Sequence, residues 1–153
     1  MTTLVYRVMS ASREQIRAHL EICNGNFLPP LSSRVDLFDY SSKLFDKSVS
    51  FEAWDGSVLV GMLNAYFNDT DNRSGFITNV SILKQYLGQG IASKLLQMGL
   101  KHACDHDFSV LRLEVSRDNN PAKRLYLMAG FKTVKESGDI LLMEYAVPLK
   151  STN

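Results

Sequence analysis

No run of about 18 apolar residues occurs in this 153-residue chain, so it offers no candidate transmembrane helix. Cysteine is scarce. Cys23 and Cys104 are the only two, too few for a disulfide framework, and both fall on helix-like segments. They read as reduced core residues of a cytoplasmic protein. An excess of one charge is also missing: 17 Lys and Arg face 16 Asp and Glu, for a formal net charge of +1. That balance argues against a nucleic-acid or membrane-surface partner, which would want a concentrated basic face. Met1–Arg7 lacks the basic n-region and long apolar core of a signal peptide. Repeats, low-complexity runs and long linkers are absent too, so residues 1–153 are expected to form a single domain.

What is present alternates between strand and helix patterns. Leu4–Val8 reads as a strand. Ser12 then caps a helix whose apolar face is Ile16, Leu20 and Cys23. Asn24-Gly25-Asn26 ends it, and an irregular loop runs through Pro29-Pro30. Asp36–Phe45 is a weaker helix. Val49–Trp54 and Val58–Phe67 flank the turn Asp55-Gly56, a hairpin signal. Asp69–Gly75 reads as a turn and Phe76–Leu83 as a strand. After the helix carrying Ile91, Leu95 and Leu100 come the strand Val110–Val115 and a helix with Pro121 in its first turn, stopped by Gly130. Phe131–Lys135 and Ile140–Val147 form a last hairpin, whose edge could serve a homodimer. The order β-α-α-β-β-β-α-β-α-β-β predicts an α/β (α+β) fold with a mixed sheet and helices on its faces.

Gly88 and Gly90 stand at the mouth of the third helix. The first N–H groups of a helix have no internal partner and carry partial positive charge, so an anion is stabilised there. Glycines admit it close to the backbone. Two glycines that merely need positive φ would look the same. No Gly-Lys-Ser/Thr follows, which excludes a P-loop. A dinucleotide fingerprint is nearly met by Gly88-Gln89-Gly90-Ile91-Ala92-Ser93, with Glu114 on the next strand. Its third glycine is replaced by Ser93, however, and Lys84–Leu87 part the strand from the turn.

The stretch VSILKQYLGQGIASKLL (80–96), taken with VSRDNNPAKRLYLMAGF (115–131), resembles the GNAT superfamily of acyl-CoA N-acyltransferases. The second element matches that family's helix motif at Asn119, Ala122, Leu125, Tyr126, Gly130 and Phe131. The first matches its pyrophosphate turn at Gly88, Gly90, Ile91 and Ala92, and departs from it at Lys84 and Leu87. The resemblance implies a mostly antiparallel sheet of six to seven strands with about four helices. It implies acetyl-CoA as co-substrate, held by Gly88, Gln89, Gly90, Ile91, Ala92 and Ser93. Val80, Ser81 and Ile82 would take the acyl arm through backbone groups, and Asn119 would bond that arm. Lys84, Lys94 and Lys123 could add charge for the phosphates.

By the same resemblance, Tyr126 would protonate the departing thiolate. Its alternative is an aromatic on a buried helical face. The fourth strand carries no Glu, so Glu114 becomes the candidate base. Its separation from Tyr126 is similar to that in peptide N-terminal acetyltransferases of the superfamily. Glu114 could instead be a structural acid paired with Arg112, with Thr78 or Asn79 orienting a water. Phe27, Arg34, Tyr66 and Asn79 are the candidate acceptor-site residues. They suit a small-molecule amine (amino sugar, sugar nucleotide or amino acid) or a peptide N-terminus. His102 and His106, four apart with no third ligand, are not expected to bind metal. A non-catalytic acyl-CoA-binding module stays open as the second function class.

Overall fold

The structure is a computed structural model that describes residues 3–27 and 30–150. Strands β1 (Val5–Val8), β2 (Val49–Asp55), β3 (Val58–Asp69), β4 (Ser74–Ile82), β5 (Val110–Ser116), β6 (Lys132–Ser137) and β7 (Ile140–Ala146) form one seven-stranded sheet, ordered β1-β2-β3-β4-β5-β7-β6. Its helices are α1 (Arg13–Cys23), α2 (Leu37–Lys47), α3 (Ile91–Asp105) and α4 (Asn120–Ala129). The sheet is mixed and mostly antiparallel. β4 runs parallel to β5, pairing Ser74 with Val110 through Ile77 with Leu113. β7, rather than β6, lies against β5, with Arg112 opposite Glu144 and Glu114 opposite Leu142. β6 is left as an edge strand, exposed along its length and bulged between Thr133 and Lys135. Among the described residues, no helix is long and apolar enough to cross a membrane.

Two compact units divide the chain. The first holds the residues up to Asn64 together with Asn79–Leu95, and the second Ala65–Thr78 with the residues from Leu96 onward. The core of the first includes Ile16, Leu20, Leu44, Phe51, Met62, Leu63, Ile91 and Leu95, all essentially unexposed. Ile16, Leu20 and Cys23 present the face expected from helical spacing. α1 begins in a capping box: Gln15 N–H donates to Ser12 Oγ (3.1 Å) and Ser12 N–H to Gln15 Oε1 (2.8 Å). Asp36 caps α2 by accepting from Asp39 N–H (3.0 Å).

The β1–α1 turn is held by a buried carboxylate. Glu52 on β2 is 0% exposed, and four donors converge on it. Ser10 N–H (3.1 Å), Ser10 Oγ (2.6 Å) and Trp54 Nε1 (3.1 Å) meet Oε1, while Ala11 N–H (3.1 Å) meets Oε2. Arg7 stacks its guanidinium over Trp54 at 5.6 Å.

In the second unit, Leu96, Leu111, Leu113 and Phe131 are buried. β4 starts earlier than expected. Gly75, expected in the turn, belongs to the strand, and a Cβ there would lie 2.9 Å from both Leu111 and the Phe67 ring. Gly75 is there for close packing. Gly130, at φ +108°, ends α4, and its N–H bonds Leu127 O (3.1 Å). Cys104 departs from expectation as well. It is only part-buried, with Sγ 3.5 Å from Pro148 O, because its position on α3 turns it away from the apolar face, whereas Cys23 is buried.

Replacing Glu52 with Ala strands four donors, two of them backbone N–H groups. A loss of about 3 kcal/mol or more is expected in urea unfolding. Glu52→Gln, which keeps one acceptor oxygen, should lose less.

Candidate acyl-transfer site

In the first unit, β4 leads into the anion-binding candidate. Leu83 N–H donates to Val60 O on β3 (2.8 Å). Backbone groups alternate sides along a strand. Those of Val80 and Ile82 therefore face away from β3. A short 3₁₀ turn, Lys84–Tyr86, follows. The Tyr86 hydroxyl donates to the Asp55 carboxylate, tying this turn to the β2–β3 hairpin. That bond, more than burial or the carboxylate's charge, raises the phenol's pKa.

Gly88 and Gly90 have φ of +78° and +77°, and a Cβ on either would meet nothing within 4 Å. The backbone conformation alone selects glycine here, and the space above it is open. The first bond inside α3 is Lys94 N–H to Gly90 O (3.1 Å), so the N–H groups of Ile91, Ala92 and Ser93 precede the helical ladder. Gly90 has no side chain with which to cap them. Gln89 and Ser93 are exposed, whereas Ile91 is 2% exposed. Ile91 is seated by a glycine that sequence reasoning passed over. A Cβ on Gly61 of β3 would lie 2.8 Å from Ile91 Cγ2 and 3.0 Å from Ile82 Cδ1.

Leu87 is 58% exposed at the lip of the turn. Of the three lysines, Lys84 is exposed and Lys94 lies over the Tyr6 ring at 5.7 Å. Lys123, in the second unit, donates to Arg117 O (2.9 Å).

Phe27 is half-buried and Arg34 exposed. Between them, Leu28 and Pro29 of the expected acceptor wall lie outside the described residues. The Asn24 side chain organises this loop, accepting from Ser32 N–H (2.7 Å) and donating to Ser32 Oγ (3.1 Å). Asn79 is 4% exposed and belongs to a buried chain of polar side chains with Ser81, Asn64 and His19. His19 was missed in the sequence. Its position on the Ile16–Leu20–Cys23 face was the available signal, since a histidine among those residues must be buried.

The second unit carries the candidate acid and base. Tyr126 sits on the buried face of α4, 7% exposed, with its ring 5.7 Å from Phe131. Burial pushes the phenol up to about 12. It therefore holds its proton throughout the neutral range. Glu114 is exposed on β5. Arg112 does not pair with it. The guanidinium goes to Glu144, its partner across β7 (2.5 Å), and to Ser74 Oγ (3.2 Å).

Asn119 caps α4, its Oδ1 accepting from Ala122 N–H (3.3 Å). Arg117 braces the loop before α4, with its N–H on Asp139 O (2.7 Å) and its guanidinium on Gly138 O (3.3 Å). Tyr66 is half-buried. Burial raises its phenol, and a hydrogen bond with Thr78 partly offsets this. His102 and His106 stack at 4.0 Å, and His106 Nδ1 donates to the His102 carbonyl (2.9 Å).

The family model described as acetyltransferase (GNAT) family matches residues 13–131. The chain belongs to this family. A curated relative, the N-alpha-acetyltransferase of Sulfurisphaera tokodaii, is 36% identical over 64 residues, which are 41% of this chain and 38% of that protein. The mycothiol acetyltransferase of Catenulispora acidiphila is 30% identical over 101 residues, 63% of this chain and 32% of that protein. The chain thus spans under two fifths of the length of these curated relatives. Among solved structures, the paia N-acetyltransferase of Thermoplasma acidophilum, in complex with coenzyme A, superposes with a TM-score of 0.75 at 17% identity. That match covers 94% of this chain and 99% of that one. At this identity the likeness is one of fold.

Two outcomes are expected. Gly61→Ala should push Ile91 and the first turn of α3, at a cost of roughly 1–3 kcal/mol in thermal unfolding. The second concerns Tyr126, whose folded pKa of about 12 lies above the ordinary 10.0. Its contribution is therefore complete below pH 10 and lost as pH rises toward 12. Tyr126→Phe should flatten the alkaline fall of stability in that window, as read by unfolding at stepped pH.

Proposed function

We propose that this chain is a cytoplasmic enzyme that transfers an acetyl group from acetyl-CoA to a primary amine by direct attack. The carrying observation is the opening of α3. Two glycines at positive φ leave open space, and three N–H groups follow with no carbonyl inside the helix. Such an end stabilises an anion. Gly88, Gln89, Gly90, Ile91, Ala92 and Ser93 fit the pyrophosphate of the co-substrate. Leu87 forgoes one side-chain donor and leaves the backbone donors intact. The relative solved with coenzyme A supports this choice of ligand.

Of Val80, Ser81 and Ile82, Val80 and Ile82 would take the pantetheine arm by backbone pairing, because their groups face away from β3, whereas those of Ser81 face β3. One N–H of this run would polarise the thioester carbonyl. Asn119 would bond the arm through its amide nitrogen, its oxygen being spent on the α4 cap. Glu114 would take a proton from the incoming ammonium. A lysine-like amine, with pKa about 10.4, needs such a base more than an α-amino group at about 7.7–8.0. The neutral amine attacks the carbonyl carbon, a C–N bond forms and the C–S bond breaks. Tyr126 donates its phenolic proton to the leaving sulfur, and the proton that the nitrogen sheds as it becomes an amide returns to the phenolate.

Phe27, Arg34 and Tyr66 would contact the acceptor. Asn79 is assigned to the support of β4, since both its amide hydrogens are directed inward. The acceptor is a small-molecule amine or a peptide N-terminus, a class supported in kind by the names of the two curated relatives. The exposed Leu87 favours a second reading, a non-catalytic acyl-CoA-binding module.

Calorimetric titration with acetyl-CoA, beside NAD, tests the cofactor reading, and thiol release across a panel of amines and peptides tests turnover. Absence of acetyl-CoA binding would sink the proposal. Binding with no turnover on any amine would favour the module. Tyr126→Phe is expected to slow thiol release by on the order of 100-fold and to leave acetyl-CoA affinity within about twofold. Glu114→Gln should move the rising limb of the pH–rate profile to higher pH. An unmoved profile would remove Glu114 as the base.

A further inference from the structure

His19, on α1, is 2% exposed. Its Nδ1 lies 2.9 Å from the Leu59 carbonyl, which can only accept, so Nδ1 carries a proton. Burial holds the ring's pKa below its usual value, against the opposing effect of the Leu59 and Ser81 carbonyls. In the neutral ring, Nε2 is then an acceptor. Ser81 Oγ, 2.9 Å away, donates to it. The Ser81 carbonyl lies 3.2 Å from the same nitrogen. Cys23 Sγ lies 3.6 Å from Nε2.

Ser81 Oγ in turn accepts from Asn79 Nδ2 (3.1 Å), whose other hydrogen goes to Asn64 Oδ1 (3.1 Å). Asn64 Nδ2 donates to Ser48 Oγ (3.2 Å), and Ser48 Oγ to Leu44 O (2.6 Å). The chain therefore starts at Asn79 and ends on two backbone carbonyls, at Leu59 and at Leu44. It links α1, α2, β3 and β4. Its five side chains are each at most 5% exposed.

Replacing both partners of a buried hydrogen bond by apolar groups of the same shape can be nearly neutral for stability. Hydrogen bonds add direction, which dispersion contacts lack. The strand they direct is Asn79–Ile82, the run that would receive the acyl arm.

We infer that His19 and Ser81 are a positioning pair, which aims the Val80–Ile82 backbone so that its N–H polarises the thioester carbonyl of bound acetyl-CoA. This rests on the function proposed above. Neither side chain touches the reacting atoms in this arrangement. His19 acts through Ser81, and Ser81 through its own strand. Asn at position 19 can keep the bond to Leu59 but is too short to reach Ser81, whereas Gln extends to the Nε2 position.

The test is the ¹³C resonance of acetyl-CoA labelled at the thioester carbonyl, bound to wild type, His19→Asn, His19→Gln and Ser81→Ala. Affinity and thermal unfolding are measured on the same samples. Wild type should move the signal downfield on binding, as polarisation demands. His19→Asn and Ser81→Ala should bind within about threefold of wild type yet lose roughly half or more of that displacement. His19→Gln should retain it.

A displacement unchanged in His19→Asn and Ser81→Ala overturns the inference and leaves the proposed function standing. So does a bound wild type with no displacement. If both variants lose cooperative unfolding together with binding, the network serves core stability only, which also overturns it. Failure of wild type to bind acetyl-CoA at all overturns the proposed function itself.

Discussion

β4 is a core strand that carries polar side chains on its buried face, and the hydrogen bonds of Ser81 and Asn79 let it be both. A strand with only apolar side chains would keep its backbone ladder but gain no directed side-chain bond. Ser81 and Asn79 instead anchor it to carbonyls on β3 and α2 through His19, Asn64 and Ser48. A partly satisfied network of this kind would be costly, because each buried unpaired group forfeits about 1–3 kcal/mol. The strand's direction and the stability of the first unit therefore depend on the same bonds.

A second constraint acts where β4 gives way to α3. The turn must bring a helix N-terminus to the surface with nothing capping it. Gly90 removes the capping side chain, Gly88 and Gly90 take the left-handed conformation, and the Tyr86–Asp55 bond fixes the approach. Ile91 anchors the first helical turn against Gly61. An uncapped, positively polarised end is thus held in place by packing below it.

Charge is handled differently in the second unit. The Arg112–Glu144 pair crosses two strands and leaves Glu114 exposed on the same strand face. Tyr126 is buried enough to keep its proton at any physiological pH. Burial, with no charged neighbour involved, is what raises the Tyr126 phenol.

The sequence by itself determined the order of elements, the cap at Ser12, the stop at Gly130 and the two turn glycines, and two of its motifs carried the resemblance to the family. The local features rest on spacing and backbone preference within a few residues of chain. Tyr126 on a buried face of α4 was legible for the same reason. Only the tertiary structure decided that β7 lies beside β5, that Arg112 takes Glu144 and not Glu114, and that Gly61 and Gly75 are there for close packing. It also decided that His19 meets Ser81, 62 residues further along the chain. Periodicity says which face of an element is buried. It does not say what that face will meet, because the partner arrives from a distant segment and is chosen by shape, register and the need to pair every buried polar group.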